Sequence, residues 1–276
     1  YLWAAFDMVN EFEIVIQNAD GSVETILVGQ KTRVQQITKG ASYDLPSDFD
    51  FRMIAEGVGY LKVASFDIDP DWFEDYLDET FEEINRQNIH SLIIDVRENT
   101  GGNTDAPLYL TRFIAKQKFR MASKVIEKLN DHNRGFFNYK GDVGDMLVEE
   151  WDDWEKPHSD RKRFKGDAYV LTSPITYSAG IVFASTVKDF GFATLLGQET
   201  GGNANQTAQG NLFKLPHSQL RAYIATRMIV RPSGAETAGG VKPDVVVEIT
   251  RDSLQKGRDN VLDHTLMLIR QNKIGE

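Results

Sequence analysis

Ser178 is the residue in this sequence best placed to do chemistry. It lies in Thr176-Tyr177-Ser178-Ala179-Gly180, directly after the apolar run Ala168-Tyr169-Val170-Leu171-Thr172 and directly before Ile181-Val182-Phe183-Ala184-Ser185-Thr186-Val187-Lys188. The first run reads as a strand and the second as a helix, so the hydroxyl falls at a strand-to-helix turn, where the first helical N–H groups have no intrahelical partner. Those donors and the positive end of the helix dipole suit a negatively charged oxygen beside the hydroxyl. The corresponding chemistry is acyl transfer through a serine nucleophile. A Ser N-cap would use the same residues with no chemistry, and the pentapeptide alone favours that plainer role.

A second segment changes the balance. Leu92-Ile93-Ile94-Asp95-Val96-Arg97-Glu98-Asn99-Thr100-Gly101-Gly102 runs from an apolar strand into a charged turn that ends in two glycines. Without Cβ atoms, a Gly-Gly turn lets backbone amides come close to a ligand. An ordinary βα loop with structural glycines would read the same way.

Together the two segments resemble the tail-specific, or C-terminal processing, serine peptidases and their relative, the tricorn core protease. The resemblance rests on the D-x-R-x-N-x-G-G turn at Asp95–Gly102 and on Thr176-Tyr177-Ser178-Ala179, which matches the [TS]-[FY]-S-[AS] end of the family's nucleophile motif. It extends to Gly197-Gln198-Glu199-Thr200-Gly201-Gly202, where Gln198 stands in the family's usual Glu place, and to Gly59-Tyr60-Leu61-Lys62-Val63-Ala64-Ser65-Phe66. Leu215-Pro216-His217-Ser218 and Gly240-Val241-Lys242-Pro243-Asp244 match further family motifs in the right order. The resemblance implies an α/β fold with the βαβ-spiral core of the Clp protease and crotonase type, and a peptide or protein substrate. It implies Ser178 as nucleophile, with oxyanion amides from Ala179 and from Gly101 or Gly102. Asp95 and Arg97 are expected to brace the turn by charge-assisted hydrogen bonds, and Asn99 to shape it.

The nucleophile needs a base. One branch of the family draws it from a lysine after the G-E-x-T loop, but Glu199–Gly210 contains no lysine and Lys214 sits inside a strand-like run. The tricorn-like branch uses Ser, His and Glu, and Glu236, just before Gly240-Val241-Lys242-Pro243-Asp244, matches the position of its acid. None of the five histidines, His90, His132, His158, His217 and His264, matches the position of its base. Tyr1 opens the chain within an element, so the expectation is that the imidazole lies in a segment preceding Tyr1, or that the chain is not competent. Glu236 is expected to face the Ser178 cleft.

Composition narrows the alternatives. Twenty-six per cent charged and 41% hydrophobic residues fit a globular chain, and no apolar run approaches the length of a membrane-spanning helix. A net charge of −10 without a basic stripe disfavours nucleic acid. With no cysteine, thiolate catalysis, disulfides and thiolate metal sites are excluded. Neither a metal nor an organic cofactor is implied. Homo-oligomerisation is open, and the resemblance implies the cell envelope or the exterior, with the cytoplasm as the alternative.

The remaining sequence supplies the scaffold. Phe12–Gln17 and Val23–Val28 read as a hairpin about Asn18-Ala19-Asp20-Gly21. Residues 1–56 are therefore expected as an N-terminal β subdomain, itself or as a remnant of a PDZ-type module, and 57–276 as the catalytic core. Asp69-Pro70 opens a helix with Trp72, Phe73, Tyr76, Leu77, Phe81 and Ile84 on a packing face. Residues 116–165 read as an irregular excursion. Two other functions share these features: a ligand- or peptide-binding module on the same fold, like the retinoid-binding repeats, and a crotonase-type acyl-CoA enzyme that uses oxyanion amides without a serine nucleophile.

Overall fold

A computed structural model describes residues 11–18, 20–29, 48–135 and 140–274. Residues 1–10 and 30–47 of the expected N-terminal subdomain lie outside the described residues. Two compact units are present. One comprises Tyr1–Ser47 with Arg251–Arg258, and the other Asp48–Thr250 with Asp259–Glu276.

In the smaller unit, β1 (Glu11–Gln17) and β2 (Val23–Gly29) pair antiparallel, as their flanking turn residues predict. Asp20 shapes the turn by accepting from the Ser22 amide at 2.8 Å and the Ser22 hydroxyl at 2.6 Å. A short helix, α4 (Arg251–Gln255), completes this unit, with Arg251 donating to the Gln17 side chain at 2.9 Å.

The larger unit is built on a six-stranded sheet in the order β12-β9-β8-β5-β4-β3. Its strands are β3 (Phe49–Ala55), β4 (Val58–Val63), β5 (Ser91–Asp95), β8 (Asp167–Thr172), β9 (Thr194–Gly197) and β12 (Val245–Val246). β3 joins β4 antiparallel, so the sheet begins before residue 57; every other pairing is parallel. The helices are α1 (Pro70–Arg86), α2 (Asp105–Ile114), α3 (Ala179–Asp189) and α5 (Asn260–Ile274). β4, β5, β8 and β9 are laid down in one direction across the sheet. Right-handed crossovers then put every connecting helix on the same face, which generates the spiral.

Strand periodicity divides the core accordingly. Leu61, Val63, Leu92, Ile94 and Val170 point to the face covered by α1, α2 and α3, where Phe73, Leu77, Phe81, Phe113 and Phe183 are buried. Tyr60, Ile93, Tyr169, Leu171 and Leu196 point to the opposite face and pack with Val261 and Ile269 of α5. Buried on both sides, β5 is apolar throughout except at its ends. α1 begins as its sequence predicts, with Asp69 accepting from the Trp72 amide at 3.0 Å and Pro70 in the first turn. α3 is apolar nearly all round because it lies inside the fold.

Within 116–165 lie two strands, β6 (Lys124–Lys128) and β7 (Met146–Glu150). With β10 (Gln206–Lys214) and β11 (Arg221–Val230) they form a second, antiparallel sheet in the order β10-β11-β6-β7. Their periodicity is hidden in the sequence because both strands are short and charged. β7 exposes Met146 and Val148.

His158 follows these strands and is wedged between aromatic rings. Its ring centre lies 4.2 Å from that of Phe113 and 4.9 Å from that of Tyr109, with Nε2 buried and without a partner among the described residues. Burial holds its pKa below the ordinary imidazole value, with Asp78 opposing the shift and Lys162 and Arg112 reinforcing it. The unfolded chain therefore takes up a proton at this residue at a higher pH than the folded one. The stability this confers is complete above about pH 6.5 and is lost as the pH falls. Urea unfolding between pH 7.5 and 5 should show stability falling with pH, and His158→Phe should reduce that slope.

Candidate functional site

β5 and β8 are adjacent and parallel, so the turns leaving their carboxyl ends must meet. These are the turns that carry the Gly-Gly pair and Ser178.

The meeting is stitched by hydrogen bonds. Thr176, fully buried, donates its hydroxyl to the Val96 carbonyl at 2.8 Å and accepts from the Ser173 amide at 3.1 Å. Ser173 donates its hydroxyl to the Arg97 carbonyl at 2.5 Å. The Tyr177 amide donates to the Asn99 carbonyl at 2.9 Å. Asn99 is also fully buried: its side-chain amide donates to the Val63 carbonyl at 3.0 Å, and its side-chain oxygen accepts from the Gly101 amide at 2.9 Å. This one asparagine ties β4, the glycine turn and the serine turn together.

Ser178 emerges from that frame with φ 50° and ψ −120°, a conformation few non-glycine residues adopt. Such strain costs about 1–3 kcal/mol and persists where the surroundings over-determine it. Ser178 does not cap α3 through its side chain, and its hydroxyl makes no hydrogen bond among the described residues. The capping role favoured by the pentapeptide alone is thus not what the hydroxyl does. Instead the backbone kink presents it at the positive end of α3.

Gly101 packs against the turn that carries Ser178. A Cβ at Gly101 would stand 2.5 Å from Cβ of Ser178 and 3.0 Å from the Ala179 amide nitrogen, and its φ of +106° also disfavours a side chain. Gly102, at φ +139°, backs onto the Phe66 and Asp67 backbone, where a Cβ would clash. The two glycines therefore have different duties. The Gly101 amide is committed to Asn99, whereas the Gly102 and Ala179 amides donate to nothing among the described residues.

The turn is braced from below by charge. Asp95 accepts from the Tyr60 hydroxyl at 2.7 Å, the Arg97 amide at 3.0 Å and the Arg97 guanidinium at 2.6 to 3.1 Å. Arg97 also makes a two-pronged pair with Asp259 at 2.8 and 2.6 Å. Burial would lower the Arg97 pKa, but hydrogen bonds to both carboxylates outweigh it and raise it. Burial and the neighbouring Asp95 push the Tyr60 phenol up.

The Gly197–Gly202 loop closes the far side. Glu199 accepts from the Gly240 amide at 2.7 Å, and Thr200 accepts from the Val241 amide at 2.9 Å, so the loop interlocks with Gly240–Asp244. The Gly201 amide donates to the Thr176 carbonyl at 3.0 Å.

Glu236 stands apart from these contacts. Its carboxylate is 47% exposed and forms an ion pair with Lys124 at 2.6 Å. No hydrogen bond or ion pair links it to Ser178 among the described residues. The histidines are also elsewhere. His90 precedes β5, at the end opposite the Gly-Gly turn, and lies against Ser91 at 3.0 Å. His132 is in the turn shaped by Asn130, and His217 is in the β10–β11 connection. His158 sits between Phe113 and Tyr109, and His264 is in α5. Among the described residues no cluster of His, Asp and Glu is arranged to hold a metal ion, and no helix is long and apolar enough to cross a membrane.

The family model of peptidase family S41 matches residues 57–247. The chain belongs to that family. Membership in a peptidase family favours a serine-type peptidase over the crotonase-type alternative. Solved structures agree on the Clp protease and crotonase-like fold. A candidate peptidase from Parabacteroides merdae is 24% identical, with TM-score 0.63, covering 83% of this chain and 66% of its own. Mature CPAF bound to lactacystin is 16% identical, with TM-score 0.67, covering 97% of this chain and 69% of its own. A candidate S41 protease from Bacteroides fragilis is 15% identical, with TM-score 0.55, covering 95% and 66%. The chain thus spans about two thirds of the length of these relatives.

The packing at Gly101 yields a sharp test. Gly101→Ala should leave the far-ultraviolet circular dichroism unchanged. A Cβ there must displace Ser178 or the Ala179 amide, so reaction of Ser178 with a fluorescent phosphonate should slow by at least about a hundredfold, the scale of losing one oxyanion donor. Measured labelling rates would check this.

Proposed function

We propose that this protein is a serine endopeptidase that hydrolyses unstructured or C-terminal peptide segments through Ser178. The observation that carries the reading is the strained Ser178 at the start of α3, pressed against Gly101, with the adjoining Ala179 amide donating to nothing among the described residues. A serine serving only as a cap has no need of that backbone conformation.

In this reading Ser178 Oγ attacks the scissile carbonyl carbon as an imidazole accepts its proton. The negative charge that develops on the carbonyl oxygen is held by the Ala179 amide and by the Gly102 amide, since Gly101 is already engaged. Collapse of the tetrahedral intermediate expels the amine, which takes the proton back from the imidazolium. Water then releases the acyl group by the same steps. Asp95 and Arg97 touch no substrate and hold the turn. Glu236 is the acid that orients the imidazole, with one carboxylate oxygen on Lys124 and the other without a partner among the described residues. Among the described residues no histidine is hydrogen-bonded to Ser178. An envelope or extracellular location rests on the family resemblance alone.

The competing reading is a peptide-binding module on the same fold. The Lys124–Glu236 pair favours it, because it occupies the acid with a lysine instead of a histidine. Hydrolysis of an unfolded protein substrate by the full-length protein separates the two. Ser178→Ala should lower kcat/KM by about three orders of magnitude or more while leaving peptide binding intact. Binding without hydrolysis, and without labelling of Ser178 by a phosphonate, would establish the module instead.

A further inference from the structure

We propose that Asp259, at the start of the C-terminal helix α5, is a positioning residue for the oxyanion turn. It clamps Arg97 from the side opposite Asp95 and so fixes the backbone that carries Asn99, Gly101 and Gly102. The inference rests on the peptidase reading for its functional meaning, but its structural content can be tested without it.

Arg97 lies between two carboxylates. Nε and Nη2 reach Asp95 at the end of β5, while Nη2 and Nη1 reach the two oxygens of Asp259, which among the described residues is the one partner of Nη1. The pairing with Asp95 ties Arg97 to the end of β5 and, through Tyr60, to β4, but on its own leaves Nη1 without a partner among the described residues. Asp259 lies 162 residues further along and is itself fixed, because it caps α5 by accepting from the Leu262 amide at 3.0 Å while its carbonyl accepts from the Asp263 amide at 2.9 Å. α5 in turn is anchored to the sheet through Val261 and Ile269. The clamp therefore references the turn to a rigid helix on the far face of the sheet.

The guanidinium is mostly buried, with 17% of its side chain exposed. Removing one carboxylate would leave a desolvated N–H without a partner, a change that costs far more than an exposed pair would. Relief would come from rotation of Arg97 and displacement of its backbone. That backbone is coupled to the nucleophile: the Arg97 carbonyl accepts from Ser173, the Val96 carbonyl from Thr176 and the Asn99 carbonyl from Tyr177. A shift at Arg97 thus reaches both the Gly102 amide and Ser178.

Asp259→Ser is the informative variant. Serine is a good helix cap, so α5 should persist, but its side chain is too short to grip Arg97. Hydrogen exchange followed by mass spectrometry on the full-length protein should show 96–103 and 173–180 exchanging about tenfold faster, with β4 and the body of α5 unchanged. Asp259→Glu should restore much of the protection. Phosphonate labelling of Ser178 should slow in parallel, with kcat falling and KM held. Faster exchange confined to 259–264, or a uniform rise across the fold in both variants, would overturn the proposal. If the serine variant fails to fold, Asp259→Asn, which keeps the cap oxygen and one acceptor, carries the same comparison. An unreactive Ser178 in the parent protein would refute the peptidase reading, while the exchange data would still decide the clamp.

Discussion

Asn99 holds together everything this protein is arranged to do. One fully buried side chain satisfies the Val63 carbonyl at the end of β4 and the Gly101 amide, while its own carbonyl receives the Tyr177 amide. A buried amide with these partners is costly to disturb, since any substitution strands polar groups away from water. It also settles which glycine amide is left over for other work. With Gly101 engaged, the amides of Gly102, next in the same turn, and of Ala179, next to Ser178, donate to nothing among the described residues.

The sheet explains why this junction exists. Strands added in one direction across a parallel sheet bring the carboxyl ends of β5 and β8 side by side, and right-handed crossovers bury α3 with its positive end at the same place. The strain at Ser178 is sustained because Thr176, Tyr177 and Gly201 are all fixed by hydrogen bonds to neighbouring turns. The fold thus delivers a hydroxyl, a helix terminus and a glycine turn to one point, and the motifs beyond it, Gly197–Gly202 and Gly240–Asp244, lock that point from the other side.

Much of this was legible in the sequence because the signals were local. The strand-turn-helix pattern about Ser178, the Asp69-Pro70 helix start and the apolar run before Asp95 each carry their own periodicity or cap. β6 and β7 were not legible, since five-residue charged strands carry too little alternation to register. Nor was Asp259: nothing near it in the sequence refers to Arg97, and only the packing of α5 on the sheet brings them together. Glu236 marks the opposite limit. Its place in a motif was visible, but its ion pair with Lys124 depends on β6, a strand the pattern did not reveal.

The most direct measurement is a crystal structure of the full-length protein with a peptidyl phosphonate bound to Ser178. The account predicts a covalent bond to Ser178 Oγ with the phosphoryl oxygen about 2.7–3.1 Å from the amide nitrogens of both Gly102 and Ala179, and the Gly101 amide still on Asn99. A phosphoryl oxygen turned away from those amides, or an adduct formed at another residue with Ser178 unmodified, would contradict it.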